Sequence, residues 1–163
     1  MKKIAMLISL FSSSVFASTA TVNVPVKGTI TSATCTFTAD PEVNFGSITA
    51  LDINNNTVSE KDINMTANCD WMTKRVTLSF IPGAIVSGDD KIMQSGLAGV
   101  GFKLPIMDKI NNLSFNTEHI WFPSGFGGGI RRIYVKIKPV KIPSEDIAAG
   151  NIDTTLTIRL SYD

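Results

Sequence analysis

Apolar and polar side chains alternate one for one along most of this chain, the period of a strand with one face in a core and the other in water. Val76, Leu78 and Phe80 interleave with Arg75, Thr77 and Ser79, and Ile133, Val135 and Ile137 interleave with Arg132, Tyr134, Lys136 and Lys138. Val43 and Phe45 ahead of Gly46, and Val100, Phe102 and Leu104 around Gly101 and Lys103, repeat the signal. Turn formers punctuate these runs at Asp40-Pro41, Asn54-Asn55-Asn56, Pro82-Gly83, Ser87-Gly88-Asp89-Asp90 and Pro143-Ser144-Glu145-Asp146. No helical stripe of useful length intervenes, although Ser144 to Ala149 has room for one short turn. Short strands without helices between them predict an all-β antiparallel sandwich, with an immunoglobulin-like arrangement leading. Trp71, just after Cys69, is expected in the core, but its position departs from the antibody order of cysteine, tryptophan and cysteine.

The same alternation makes the two ends informative together. The chain finishes on Leu156-Thr157-Ile158-Arg159-Leu160-Ser161-Tyr162-Asp163, whose apolar residues at 156, 158, 160 and 162 call for strand neighbours on both sides. Ahead of Cys35, Thr21 to Ile30 forms an equally regular strand, with Val22, Val24, Val26 and Ile30 on one face together with Gly28. One end lacks a partner strand and the other end has the pattern of one. An unpaired apolar edge is an aggregation hazard that proteins cover or pair, and addition of a strand from another chain pairs it directly. Pairing of the first strand inside its own domain fits the pattern as well, and Pro25 is compatible with both arrangements.

Before either strand comes a secretory leader: Lys2 and Lys3, an apolar stretch from Ile4 to Leu10, and small residues at Val15 and Ala17 that place cleavage after Ala17, with Ala20 as a second usable position. The apolar stretch is far short of the roughly 20 residues of a spanning helix. The expected organisation is therefore a signal peptide over 1–17, an N-terminal extension over 18–31 and one domain over 32–163. Export puts the two cysteines, Cys35 and Cys69, in an oxidising compartment, where they read as a single disulfide. Net charge is +1, with basic and acidic residues dispersed, so there is no electrostatic footprint for nucleic acid. Arg131, Arg132, Lys136, Lys138 and Lys141 read as the solvent face of a strand.

Taken in order, these features resemble the pilin-domain subunits of chaperone-usher fimbriae of the type 1 and P pilus kind. The residues carrying the likeness are the leader, the alternating extension Val22 to Ile30 with Gly28 inside it, Cys35, Val43-Asn44-Phe45-Gly46, Cys69 at the end of its strand, Gly99 to Leu104, and Ala148-Ala149-Gly150-Asn151 leading to the final strand with its penultimate Tyr162. The resemblance implies an incomplete immunoglobulin-like β-sandwich that lacks its last strand and is completed by donor-strand exchange. A periplasmic pilus chaperone would fill the groove first, and the extension of a neighbouring subunit would replace it at the outer-membrane usher. Val22, Val24, Val26, Gly28 and Ile30 would be the donor positions, and glycine would stand at 28 because a larger side chain would clash. Leu156, Ile158, Leu160 and Tyr162 would line the acceptor groove and the chaperone-contact edge. Fimbrial localisation at the cell surface follows. Two-domain tip adhesins of this type lack the extension, so a shaft or adaptor subunit supporting bacterial adhesion is favoured. The alternative is a single-domain adhesive pilin or tip subunit that binds a host glycan or protein receptor.

Catalysis and cofactors find no support. His119 lies beside Glu118 and Trp121 without a nucleophile motif and reads as a loop histidine, and two distant cysteines with one histidine do not make a metal site. Gly125-Phe126-Gly127-Gly128-Gly129 lacks the lysine and hydroxyl ending of a phosphate loop and reads as a flexible loop. Gly96 to Gly101 likewise departs from the dinucleotide spacing and is expected to allow a bulge or tight packing. Trp121, Phe122 and Phe126 favour glycan binding if exposed and a structural role if buried.

Overall fold

Pairing between strands far apart in sequence builds the molecule, and the computed structural model describes it at Pro25, Lys27, 32–105 and 112–163. The chain divides into one unit over 1–30 and a second over 31–163, and the second carries the fold. Its elements are β1 (Cys35–Ala39), α1 (Ala50–Asn54), β2 (Lys61–Cys69), β3 (Val76–Pro82), β4 (Ile85–Val86), β5 (Asp89–Gln94), β6 (Val100–Lys103), β7 (Glu118–Ile120), β8 (Gly129–Lys141) and β9 (Leu156–Tyr162). One sheet runs in the order β1-β2-β8-β6-β5-β4 and the other in the order β7-β3-β9, with every pairing antiparallel.

The register of β2 on β8 shows why alternation suffices to build this core. Ile63 lies opposite Val135 and Met65 opposite Ile133, so the inward rows of the two strands meet as direct cross-strand pairs. With Ala67 and Cys69 they are buried against Val76, Leu78 and Phe80 of β3. The intervening Asn64, Arg132 and Tyr134 face water, as the sequence pattern requires. On β3 the polar row is covered too, because Thr77 and Ser79 sit between β7 on one side and β9 on the other. A strand expected to be half-buried is thus a central strand.

Several local features depart from the sequence reading, the first being that Val43 and Phe45, expected in a strand, lie in a segment without regular secondary structure between β1 and α1. Residues 50–54 form a one-turn helix closed by a capping box, in which the Asp52 N–H donates to Thr49 Oγ and the Thr49 N–H donates back to the Asp52 carboxylate. Hydrogen bonds from the Thr49 hydroxyl and then its N–H hold the Asp52 carboxyl below its ordinary pKa; desolvation opposes this, and a bond from Thr57 adds to the lowering. His119 lies in strand β7 rather than in a loop, with Nε2 2.8 Å from the Ser114 carbonyl. Trp71, expected in the core, is instead 81 % exposed. The chain turns immediately after β2 because the Asp70 carboxylate accepts the Met72 N–H at 2.9 Å, and the Trp71 backbone is pressed against Gly128, where a Cβ would come within 2.9 Å of the Trp71 Cα.

Tight packing at Gly99 and Gly101 agrees with expectation. A Cβ on Gly99, whose φ is +74°, would meet the Asp146 carbonyl oxygen at 2.3 Å, and one on Gly101 would meet the Met93 carbonyl oxygen at 2.8 Å. The loop at 125–129 is anchored by the buried Phe126, which meets Phe122 edge-on at 5.1 Å and donates its N–H to the Lys74 carbonyl. The flexible loop of the sequence reading is therefore docked at its centre.

Candidate functional site

Two strands leave their inward rows half-covered, one at an edge of each sheet. On β9, Leu156, Ile158 and Leu160 pack against the core cluster yet keep part of their surface accessible. On β1 and the segment after it, Cys35, Phe37, Val43 and Phe45 do the same. The interior strands β2, β3 and β8 bury their corresponding rows. The difference is one of position in the sheet, since an edge strand has a neighbour on one side only.

Strand β9 pairs with β3 from Leu156 opposite Pro82 to Tyr162 opposite Val76, and among the described residues no strand pairs with its other edge. Its N–H and C=O groups on that side form a seven-residue template flanked by an apolar row. Of the four positions expected to line a groove, Leu156, Ile158 and Leu160 share that row; Tyr162 continues it but is 42 % exposed, at the end of the sheet. The expected donor positions Val22, Val24, Val26, Gly28 and Ile30 lie outside the described residues, as does the leader.

At the end of the domain where Tyr162 lies, the root of the N-terminal segment is tied down. Cys35 and Cys69 are direct cross-strand partners and form a disulfide. One residue outward on each strand, the Thr34 N–H and hydroxyl donate to the Asp70 carboxylate at 2.6 and 3.1 Å, and the Asp70 N–H donates to the Thr34 carbonyl at 3.0 Å. The sequence reading missed this clamp, although an aspartate directly after the strand-ending cysteine was a visible signal for a turn. Desolvation pushes the Asp70 carboxyl upward, but the bonds from Thr34, Met72 and Thr73 outweigh it and hold its pKa below the ordinary carboxylate value. The carboxylate therefore stays ionised and bonded across the physiological range. The final residue joins the same end: the Lys74 N–H donates to the Asp163 carbonyl, and Arg75 pairs with the Asp163 carboxylate at 2.6 Å.

The remaining candidates have structural partners. Trp121 packs edge-on against Phe80, and Trp121 and Phe122 rest half-buried on the core. Among the described residues, no group of three or more His, Cys, Asp or Glu side chains converges as a metal site would require. A shallow cavity of about 250 Å³ between α1 and β2 is lined by Phe45, Ile48, Asp52, Thr57, Val58, Ser59 and Lys61, none of them on β9.

Comparison with known proteins assigns the architecture. The family described as "Fimbrial protein" matches residues 24–163. The chain is 27% identical over 150 residues to Protein FanG of Escherichia coli, covering 89% of this chain and 86% of that one. It superposes on the crystal structure of the P pilus rod subunit PapA with a TM-score of 0.66 at 17% identity, over 79% of this chain and 99% of that one. A chain from a structure described as a chaperone-usher pilus, revealing the molecular basis of rod uncoiling, superposes with a TM-score of 0.65 at 18% identity, over 92% of this chain and 100% of that one. The fold is thus the incomplete immunoglobulin-like sandwich of pilus subunits, as the alternating pattern and the likeness together led one to expect.

Proposed function

The chain belongs to the fimbrial protein family, and on that premise we propose that it is a shaft or adaptor subunit of a chaperone-usher fimbria, polymerising by donor-strand complementation and supporting bacterial adhesion. The family is structural rather than enzymatic, and its members build surface fimbriae. The observation that carries the finer reading is the unpaired edge of β9 with its half-covered row Leu156, Ile158 and Leu160. A strand laid along that edge gains main-chain hydrogen bonds, and alternate side chains reach the core through the row.

Val22, Val24, Val26 and Ile30, with Gly28 among them, supply such a strand from a neighbouring subunit. Four aliphatic side chains fully buried contribute roughly 6 to 12 kcal/mol before the ordering cost of the segment. The family match reaches back to residue 24 and so takes in most of these positions. It begins after 1–17, which suits a leader removed on export. A periplasmic chaperone holds the same edge before assembly, and the usher is where the exchange occurs. Because donor and acceptor are different surfaces, the contact is head to tail and generates an open fibre.

The packing of Trp121, Phe122 and Phe126 into the core supports a structural role over a glycan site built from those rings. The test is direct. A chain lacking 18–30 is mixed with a synthetic peptide of that segment and melted. The peptide is expected to raise the melting temperature strongly, with slow and nearly irreversible binding, and a Gly28→Leu peptide is expected to bind much less well. A truncated chain already stable and indifferent to the peptide sinks the donor-strand reading.

A further inference from the structure

Trp71 is the most exposed large apolar side chain among the described residues, and it stands one residue from the clamp that holds the root of the extension. Ile130, 65 % exposed, lies at the same end, opposite Asn68 in the β2–β8 register and two residues after Gly128, the glycine that packs on the Trp71 backbone. An exposed tryptophan on a turn fixed by hydrogen bonds from Thr34, Met72 and Thr73 to Asp70 is a rigid apolar knob, the kind of side chain that anchors protein interfaces.

Chain length says what meets it. Ile30, the last donor position, is four residues from Thr34, and four fully extended residues span at most roughly 14 Å. Thr34 is fixed by Asp70, with the Cys35–Cys69 disulfide directly behind it. A subunit that holds Ile30 in its groove therefore has part of its surface within that distance of Thr34, while its own body is several tens of ångströms across. The surface around Thr34, which includes the turn that carries Trp71, then faces that subunit.

We infer that Trp71, with Ile130 at the same end of the domain, is a docking surface for a second copy of this chain, the copy whose groove receives the extension. The inference rests on the donor-strand reading and adds to it a contact made by the folded domain itself. The extension supplies the groove contact, and Trp71 sets how one domain seats on the next.

The chain has two tryptophans, so Trp121→Phe leaves Trp71 as the sole reporter. In the mature full-length chain, its emission is expected to shift to the blue, and its quenching by acrylamide to fall several-fold, when head-to-tail species form. Extension peptide alone fills the groove without bringing a neighbour, so it is expected to leave that emission unchanged. Because Trp121 contacts Phe80, a second variant avoids the core: Trp71→Ser in the otherwise native chain is expected to weaken assembly about tenfold or more while peptide binding is unaltered. Peptide binding with Trp71 still water-exposed in the assembled species, or assembly unchanged by Trp71→Ser, overturns this inference and leaves the donor-strand reading standing. A chain that binds peptide yet stays monomeric at high concentration overturns the choice of a second copy as partner. Glycan binding lost in Trp71→Ser with assembly intact overturns the inference in favour of a receptor site. Failure of the peptide to bind removes both.

Discussion

Replacing Cys35 and Cys69 together by serine is expected to lower stability by about 4 kcal/mol, the chain-entropy cost of a closed loop of this size. Denaturant unfolding of the double variant against the parent measures it, and a loss under about 1 kcal/mol means the cross-strand pairing already holds the loop in the unfolded chain. Asp70 gives a pH-dependent counterpart. Its folded-state pKa is lowered, so its contribution is present above the ordinary carboxylate value and disappears as pH falls through the lowered one. The stability gap between the parent chain and Asp70→Asn is therefore expected to be constant from pH 7 to pH 5 and to close in stronger acid. A gap that widens in acid reverses the assigned sign. Gly99→Ala places a methyl group on a backbone carbonyl at a left-handed φ, and a loss of at least 1 to 3 kcal/mol is expected by thermal melting. The cysteine pair and the packing at Gly99 were legible from residue type and spacing. The Asp70 clamp was not, because its hydrogen bonds join two segments that only the folded sheet brings together.

Strand β9 shows how parity decides what an element contributes. Ile158 belongs to the row that packs on the core, while Thr157 and Arg159 face away from it. Ile158→Lys puts a charge where the donor strand would seat and is expected to weaken peptide binding at least tenfold, whereas Thr157→Lys on the same strand is expected to leave it within about twofold. Equal effects at the two positions would mean that the peptide binds elsewhere. Alternation identified β3, β6, β8 and β9 in the sequence, since each presents apolar residues two apart, whereas β2 was not singled out by it. It did not distinguish the edge strands from the central β3, because periodicity reports which face is apolar and carries no information on how many neighbours a strand has. The helix α1 escaped notice for the opposite reason: one turn held by a Thr49–Asp52 capping box is too short to leave a periodic stripe.

On the scale of the whole molecule, the proposed donor and acceptor elements would make the chain a link with two different ends. A chain lacking 18–30 would accept a strand but have none to give, so adding it to the intact chain is expected to shorten fibres in proportion to its fraction, as seen by light scattering or electron microscopy. Fibre length indifferent to the truncated chain would contradict head-to-tail propagation. Two properties were settled by the sequence alone. An all-β fold follows from a period of two over successive segments with no helical stripe between them, and a single disulfide pairing follows because two cysteines allow no other. The tertiary structure decided which inward rows stay open, since burial at β1 and β9 depends on what lies beside them in space. It also placed Trp71 outward, on a turn held by the Asp70 carboxylate and packed at its backbone against Gly128, an arrangement written in contacts between segments and not in the order of residues.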